Sequence, residues 1–149
     1  MKLVMISAAL AFIALPAHAQ DVPAGVMMFN VANAKWEKSL TGENAKILGD
    51  QTQPGPYAFL TRPLPMPSAA SQPHTHPDTR TYTVISGTWY VGFGTAFDES
   101  KLIALKAGSV YTEPANVPHF VVIRDEGTVV HISGTGPSRL VPVAPTTKP

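Results

Sequence analysis

The stretch from His74 to Gly87 reads HTHPDTRTYTVISG, and it says more about the fold than any other part of this chain. Its second half is rich in residues that favour a β-strand, and Gly87 then marks a turn. His74 and His76 are two residues apart, so on an extended strand their side chains point to one face. The stretch GSVYTEPANVPH, from Gly108 to His119, ends on a third histidine. If that histidine arrives on a neighbouring strand, the three imidazoles form a pocket suited to a metal ion.

Short β-favouring segments recur through the rest of the chain and are separated by turns rich in glycine and proline. This spacing, without a long stretch of helical periodicity, predicts an all-β sandwich or small barrel. We expect the two strands flanking Gly87 to form a hairpin and residues 94–101 to contain one helical turn. Residues 20–42 are expected to form an extended arm along an edge or end of a sheet. The predicted strands lie near residues 43–48, 57–62, 79–86, 88–93, 102–105, 109–112, 119–124 and 128–133.

The first nineteen residues have the features of an export signal. Lys2 provides a positive start, an apolar run of 13 residues follows, and Ala17-His18-Ala19 is a small-x-small cleavage site. We therefore predict a signal peptide over residues 1–19, one domain with its N-terminal arm over residues 20–143, and a disordered tail over residues 144–149. The expected location is the bacterial periplasm or the exterior of the cell.

The composition excludes several classes of function. Of the 149 residues, 11 are basic and 10 are acidic, and removal of Lys2 with the signal leaves equal numbers. This balance argues against nucleic acid or an anionic membrane as the main partner. Because the chain has no cysteine, disulfides and thiolate sites are excluded. No glycine-rich phosphate loop and no activated nucleophile can be recognised. The expected partner is a small molecule, and a homodimer through edge strands is compatible with the sequence.

Together the two quoted stretches resemble the two motifs of the cupin family. The flanking stretches GTWYVGFG and PANVPHF are similar to those of small exported bacterial cupin-domain proteins of largely undefined function. The resemblance implies a jelly-roll barrel, also called a double-stranded β-helix. It also implies a divalent metal ion, with iron, manganese, zinc, nickel and copper not distinguished. The residues that match the metal-binding positions of the motifs are His74, His76 and His119.

Two positions depart from the family pattern. Arg80 stands where the first motif has a metal-binding glutamate, and Ile123 stands where the second motif often has an asparagine. An arginine cannot bind a metal ion and keeps its positive charge. It must therefore turn away, pair with an acid or bind an anion. Asp78 shares strand parity with His76 and Arg80, and is a candidate additional ligand.

Three interpretations remain open at this point. In the first, the three histidines hold a metal ion, with water or Asp78 in the open positions. In the second, Arg80 has converted the pocket into an anion site. In the third, the histidines form a closed core without a ligand. An enzyme of this kind would be a metal-dependent oxygenase, isomerase or lyase. The alternative is a noncatalytic module that binds a small molecule or anion.

Roles can also be predicted for residues outside the histidine group. Arg80 and Tyr82 are the candidate catalytic residues, with Arg80 orienting an anionic substrate and Tyr82 lining the pocket and relaying a proton. His131 is interpreted as a core or rim residue rather than a ligand. Glu113 and the pair Asp98-Glu99 are predicted to lie on the solvated surface.

Overall fold

The computed structural model describes residues 21–66 and 72–144. The predicted signal peptide lies outside these residues, as does the predicted tail except for Ala144. The described chain forms short strands, with two 3-10 helices at Val31–Asn33 and Glu99–Lys101. The second of these is the helical turn expected within residues 94–101. The strands are β1 Glu37–Ser39, β2 Gly42–Leu48, β3 Gly55–Pro63, β4 His74–Thr75, β5 Arg80–Ser86, β6 Thr88–Phe93, β7 Ile103–Lys106, β8 Val110–Glu113, β9 His119–Val122, β10 Val129–Gly136 and β11 Val141–Pro142.

These strands form two antiparallel sheets. The first has six strands in the order β1-β2-β3-β10-β5-β8, and the second has five in the order β11-β4-β9-β6-β7. Neighbours in each sheet are mostly distant in sequence, as in a jelly roll, where the chain alternates between two facing sheets. The all-β jelly-roll fold is therefore confirmed. No described helix is long and apolar enough to cross a lipid bilayer.

The core lies between the sheets and shows the two-residue periodicity of a strand with one buried face. In β5, Tyr82 and Val84 are buried, whereas Ile85 is 43% exposed. Trp89 and Val91 in β6 contribute to the same core from the five-stranded sheet. A smaller cluster around Ala45, Leu60 and Val129 lies elsewhere, with Trp36 packed against it.

The predicted hairpin on either side of Gly87 is wrong. Strand β5 pairs with β10 and β8 in one sheet, and β6 pairs with β9 and β7 in the other. A single residue separates the two strands, which is too short for the two-residue loop of a tight hairpin. Gly87 has φ +71°, and a Cβ there would lie 2.4 Å from Thr128 Oγ1, so the chain crosses between sheets at a sharp corner that requires glycine.

Strand β1 lies at the outer edge of the six-stranded sheet, paired with β2 from Glu37↔Asn44 to Ser39↔Gly42. The last part of the predicted arm thus forms the edge strand of this sheet. Residues 21–33 are exposed, among them Met27 and Met28, which are 59% and 77% exposed, whereas Ala34 and Trp36 are half-buried against the smaller cluster.

Candidate functional site

Three histidines meet at one end of the five-stranded sheet. Strand β4 pairs with β9 so that His74 lies directly opposite His119, and His76 follows β4 by one residue. The ring centroids of His74 and His119 are 4.2 Å apart, and that of His76 is 5.1 Å from the first and 5.3 Å from the second. One ring nitrogen from each residue lies within 4.8 Å of the other two. The structure thus brings the histidines of the two motifs together in a group able to hold a metal ion.

Backbone carbonyls orient all three rings. The Nδ1 atoms of His74, His76 and His119 lie 3.0, 2.9 and 3.1 Å from the carbonyl oxygens of Gln72, Arg139 and Val117, in that order. A carbonyl oxygen can only accept a hydrogen bond, so each Nδ1 must carry the proton and donate it. Each Nε2 then keeps its lone pair. Metal-binding histidines are held in this way, with the second ring nitrogen bonded to a carbonyl or carboxylate.

The protonation state of the group also suits a cation. Burial lowers the pKa of His76 to about 4 and that of His119 to about 3. The pKa of His74 is lowered as well, again with burial as the largest cause. The positive charge of Arg80 contributes to the lowering at each of the three. The imidazoles are therefore neutral at pH 7, and a metal ion would not have to displace protons from them.

Arg80 is buried and pairs with an acid. Its Nε donates to Asp78 Oδ1 at 3.3 Å, and its Nη2 donates to Ser138 Oγ at 2.5 Å. Ser138 in turn donates to Asp78 Oδ1, while the Tyr57 hydroxyl donates to Asp78 Oδ2 at 2.6 Å. Of the three fates expected for Arg80, the structure shows the pair with an acid. We call Tyr57, Asp78, Arg80 and Ser138 the Asp78 network.

The Asp78 network determines the ionisation of its central carboxylate. Burial alone would raise the pKa of Asp78, but hydrogen bonds from Ser138 and Tyr57 and the charge of Arg80 together lower it. Asp78 therefore stays ionised and balances Arg80. It does not belong to the group of ligand atoms formed by the three histidines, because its oxygens are directed to the other members of the network.

The Asp78 network also holds the C-terminal segment, residues 137–143, against the site. Ser138 is bound through its side chain, and its backbone N–H donates to Gln51 at 2.6 Å. Next in the chain, Arg139 supplies the carbonyl oxygen that accepts from His76. Val141 then pairs with Thr75 in β11 and β4. The position of His76 therefore depends on a segment more than sixty residues away.

Glu113 is a buried member of the site that the sequence did not reveal. It is 1% exposed, so its predicted position on the solvated surface is wrong. The β5–β8 register places it opposite Arg80, and its Oε2 lies 3.3 Å from His119 Nδ1. Neither oxygen makes a regular hydrogen bond with a described residue, and burial raises the pKa of Glu113 to about 7, against the opposing effect of the Arg80 charge. Its position just before Pro114 carried no signal, because charged residues in turns are usually solvated.

The histidine group faces a cavity of about 530 Å³ between the sheets. Arg80 and Tyr82 line it together, as their shared strand parity predicts. Tyr82 stacks on Tyr111, with ring centroids 4.5 Å apart, and burial raises its pKa well above the usual range, so the phenol stays protonated at pH 7. His131 lies outside both the cavity wall and the histidine group. Further lining residues are Phe59, Met66, Trp89, Ile123, Ile132 and Leu140.

Replacing Arg80 with Met should lower the free energy of unfolding by about 3–5 kcal/mol, because Asp78 would be left buried without its compensating charge. The double variant D78N/R80M should recover part of this loss, since no uncompensated charge remains. Urea denaturation of the parent protein and of the variants D78N, R80M and D78N/R80M measures the effect. Arg124→Met is the control: its 3.0 Å pair with Glu99 is exposed and should contribute less than about 1 kcal/mol. Equal losses in R80M and R124M would contradict the role given to the network.

Comparison with known proteins agrees with this architecture. A model of the cupin domain matches residues 65–133, which contain both motifs. Putative germin-like protein 2-2 from Oryza sativa subsp. japonica is 34% identical over 112 residues, which cover 68% of this chain and 49% of that protein. The chain spans about half or less of the length of the curated relatives it matches.

Two solved structures share the fold. The polyketide cyclase RemF from Streptomyces resistomycificus superposes with a TM-score of 0.59 at 17% identity, covering 83% of this chain and 90% of RemF. The DMSP lyase DddQ from Ruegeria pomeroyi superposes with a TM-score of 0.57 at 14% identity, covering 78% of this chain and 64% of DddQ. At such identities the likeness concerns the fold alone. Both motifs, the two-sheet topology and these matches lead to one conclusion: the chain belongs to the cupin family.

Proposed function

We propose that this chain is an exported, metal-dependent cupin enzyme that acts on a small molecule. His74, His76 and His119 would hold one divalent ion through Nε2, at the wall of the 530 Å³ cavity. The observation that carries the proposal is the orientation of the rings. Each Nδ1–H donates a hydrogen bond to a carbonyl oxygen, which leaves the lone pairs of three neutral Nε2 atoms available to a metal ion.

The donor set suits some metals better than others. Three imidazoles and no carboxylate favour zinc, copper, iron or nickel, whereas magnesium, calcium and manganese prefer oxygen ligands. With three protein ligands, a bound ion would keep open coordination positions, as in catalytic rather than structural sites. A divalent ion there would supply a Lewis acid able to polarise an oxygen or carbonyl group of a bound molecule.

The charge of Arg80 does not stand against this proposal. An unpaired guanidinium about 5 Å from a dication would oppose binding by about 6 kcal/mol at an effective dielectric of about 20. Asp78 lies 3.3 Å from Arg80 Nε and opposes that charge. The same pairing weakens the alternative of a noncatalytic module in which Arg80 binds the anion, because Asp78 and Ser138 already occupy its Nε and Nη2.

The remaining residues of the site suggest how a substrate would be shielded from water and hydrogen-bonded. The apolar walls contributed by Phe59, Trp89 and Ile123 would exclude water from a bound molecule. Tyr82, a neutral phenol in the same wall, could donate a hydrogen bond to it. Oxygenase, isomerase and lyase reactions fit such a site, and a cyclase and a lyase occur among proteins of the same fold.

The proposal of export is supported by the sequence of residues 1–19, and an exported protein would be found in the periplasm or outside the cell. Expressed at full length in a Gram-negative host, the protein should be recovered from the periplasm, and N-terminal sequencing should begin at Gln20. Recovery of intact chains that retain Met1 in the cytoplasm would contradict export without affecting the metal site.

Untagged protein, stripped of metal and then offered zinc, iron(II), copper(II) or nickel(II), should bind close to one ion per chain. Replacing His119 with Ala should weaken that binding at least ~100-fold, because two imidazoles hold a divalent ion poorly. Elemental analysis and competition with a chelator measure both quantities. His131→Ala is the matched control and should bind as the parent does, because His131 lies outside the group. Less than about 0.1 ion per chain with every metal would refute the proposal.

Glu113→Gln should weaken metal binding about 10- to 100-fold, because its carboxylate lies against the Nδ1 side of a ligand ring and helps to orient it. Glutamine preserves the shape of the side chain, so a parallel urea titration separates an effect on binding from an effect on folding. Chelator competition with cobalt(II), followed by visible absorption, reports both the affinity and the ligand geometry. An unchanged affinity and spectrum would mean that Glu113 does not position His119.

A further inference from the structure

The charges on the cavity wall do not balance. No aspartate or glutamate is among the described residues that line the cavity, whereas two arginines are, Arg80 and Arg139. Asp78 balances the first of these from behind the wall. The Arg139 side chain is exposed, and its guanidinium forms no ion pair or hydrogen bond with any described residue. Arg139 therefore contributes an unpaired positive charge on the solvent-exposed side of the cavity, and this arginine is not the one that the motif comparison singled out.

Arg139 is also held firmly in place by its backbone. The preceding residue, Ser138, is fixed through both its side chain and its N–H, and the carbonyl oxygen of Arg139 accepts from His76 at 2.9 Å. Two residues later, Val141 pairs with Thr75. The side chain thus starts from a fixed point beside a histidine of the group, on the wall of the cavity.

The histidine group adds to the preference for an anion. Three neutral imidazoles contribute no negative charge to a bound dication, unlike a set that contains a carboxylate. The walls around it are largely apolar, with Phe59, Trp89, Ile123 and Leu140 among the lining residues. A ligand that matches these features carries a negative group at one end and an apolar body at the other. A guanidinium recognises a planar carboxylate through two parallel hydrogen bonds.

We propose that Arg139, rather than Arg80, is the specificity-determining residue of this site, and that its ligand is a small carboxylate with an apolar body. This inference rests on the proposed function in one respect, the metal ion beside the bound carboxylate. The role of Arg139 itself does not depend on that ion. Arg80 is a positioning residue that fixes the C-terminal segment from which Arg139 projects.

Three probes that differ in charge and in apolar body test the proposal. They are phenylacetate, its neutral isostere phenylacetamide, and acetate, which has the charge without the apolar body. Calorimetric titration of the zinc-loaded protein should show phenylacetate binding at least ~10-fold more tightly than either of the others. Arg139→Gln should remove this preference for phenylacetate over phenylacetamide while the zinc content stays unchanged, because only the side chain, not the carbonyl that serves His76, is altered. Arg139→Lys should retain part of the preference, since it keeps the charge but loses the two-pronged geometry.

Arg124→Gln is the matched control, because Arg124 pairs with Glu99 and does not line the cavity. Phenylacetate that binds no better than phenylacetamide, or equally well to R139Q, overturns the inference, and so does the absence of any phenylacetate binding. Repeating the titrations on metal-free protein separates the two proposals. Failure to load metal, with an Arg139-dependent preference for phenylacetate intact, refutes the metal centre alone. Normal loading without that dependence refutes the role of Arg139 alone.

Discussion

The carboxylate of Asp78 is buried where three parts of the chain meet, and the rest of the site depends on how its charge is compensated there. Tyr57 approaches from β3, Arg80 from the start of β5, and Ser138 from the C-terminal segment. A buried ion without partners would cost several kcal/mol, so the contributing segments are strongly favoured in this one arrangement. Gly134 in β10 leaves the space, since a Cβ there would lie 2.5 Å from Asp78 Oδ2.

The Asp78 network also affects the metal-binding end of the fold. Because Ser138 is fixed by the network, the next carbonyl, that of Arg139, is placed to accept from His76. An arginine at a position where the family has a carboxylate therefore need not abolish the site. Its guanidinium pairs with Asp78 within the wall, and through Ser138 it helps to orient the metal-binding residue His76 without itself binding the metal. The electrostatic character of the cavity is nevertheless changed, because the carboxylate that would have faced the ion is absent.

Local sequence predicted the strands well and their partners less well. Strands β5 and β6 were predicted to within one residue at each end, because threonine, valine and aromatic residues favour strands and Gly87 interrupts them. Their expected pairing as a hairpin was wrong, since the partner of a strand is chosen by the packing of two whole sheets and by loop length. Glu113 was misjudged for a similar reason: only the register that sets it opposite Arg80 shows that it is buried.

The resemblance of the two motifs to those of the cupin family predicted the jelly roll, and the spacing of His74, His76 and His119 predicted which residues would meet in its pocket. This was possible because strand parity and the family pattern are both properties of short stretches of chain. The charge partner of Arg80, the burial of Glu113 and the place of Arg139 on the cavity wall emerged only from the tertiary structure. The burial of Glu113 and the place of Arg139 depend on contacts between residues 33 to 63 positions apart, as in Arg80 with Glu113 and His76 with Arg139. Asp78 and Arg80 are only two residues apart, but their pairing inside the wall is likewise set by the fold around them. No local pattern encodes such distances, because strand register and the path of the C-terminal segment determine them.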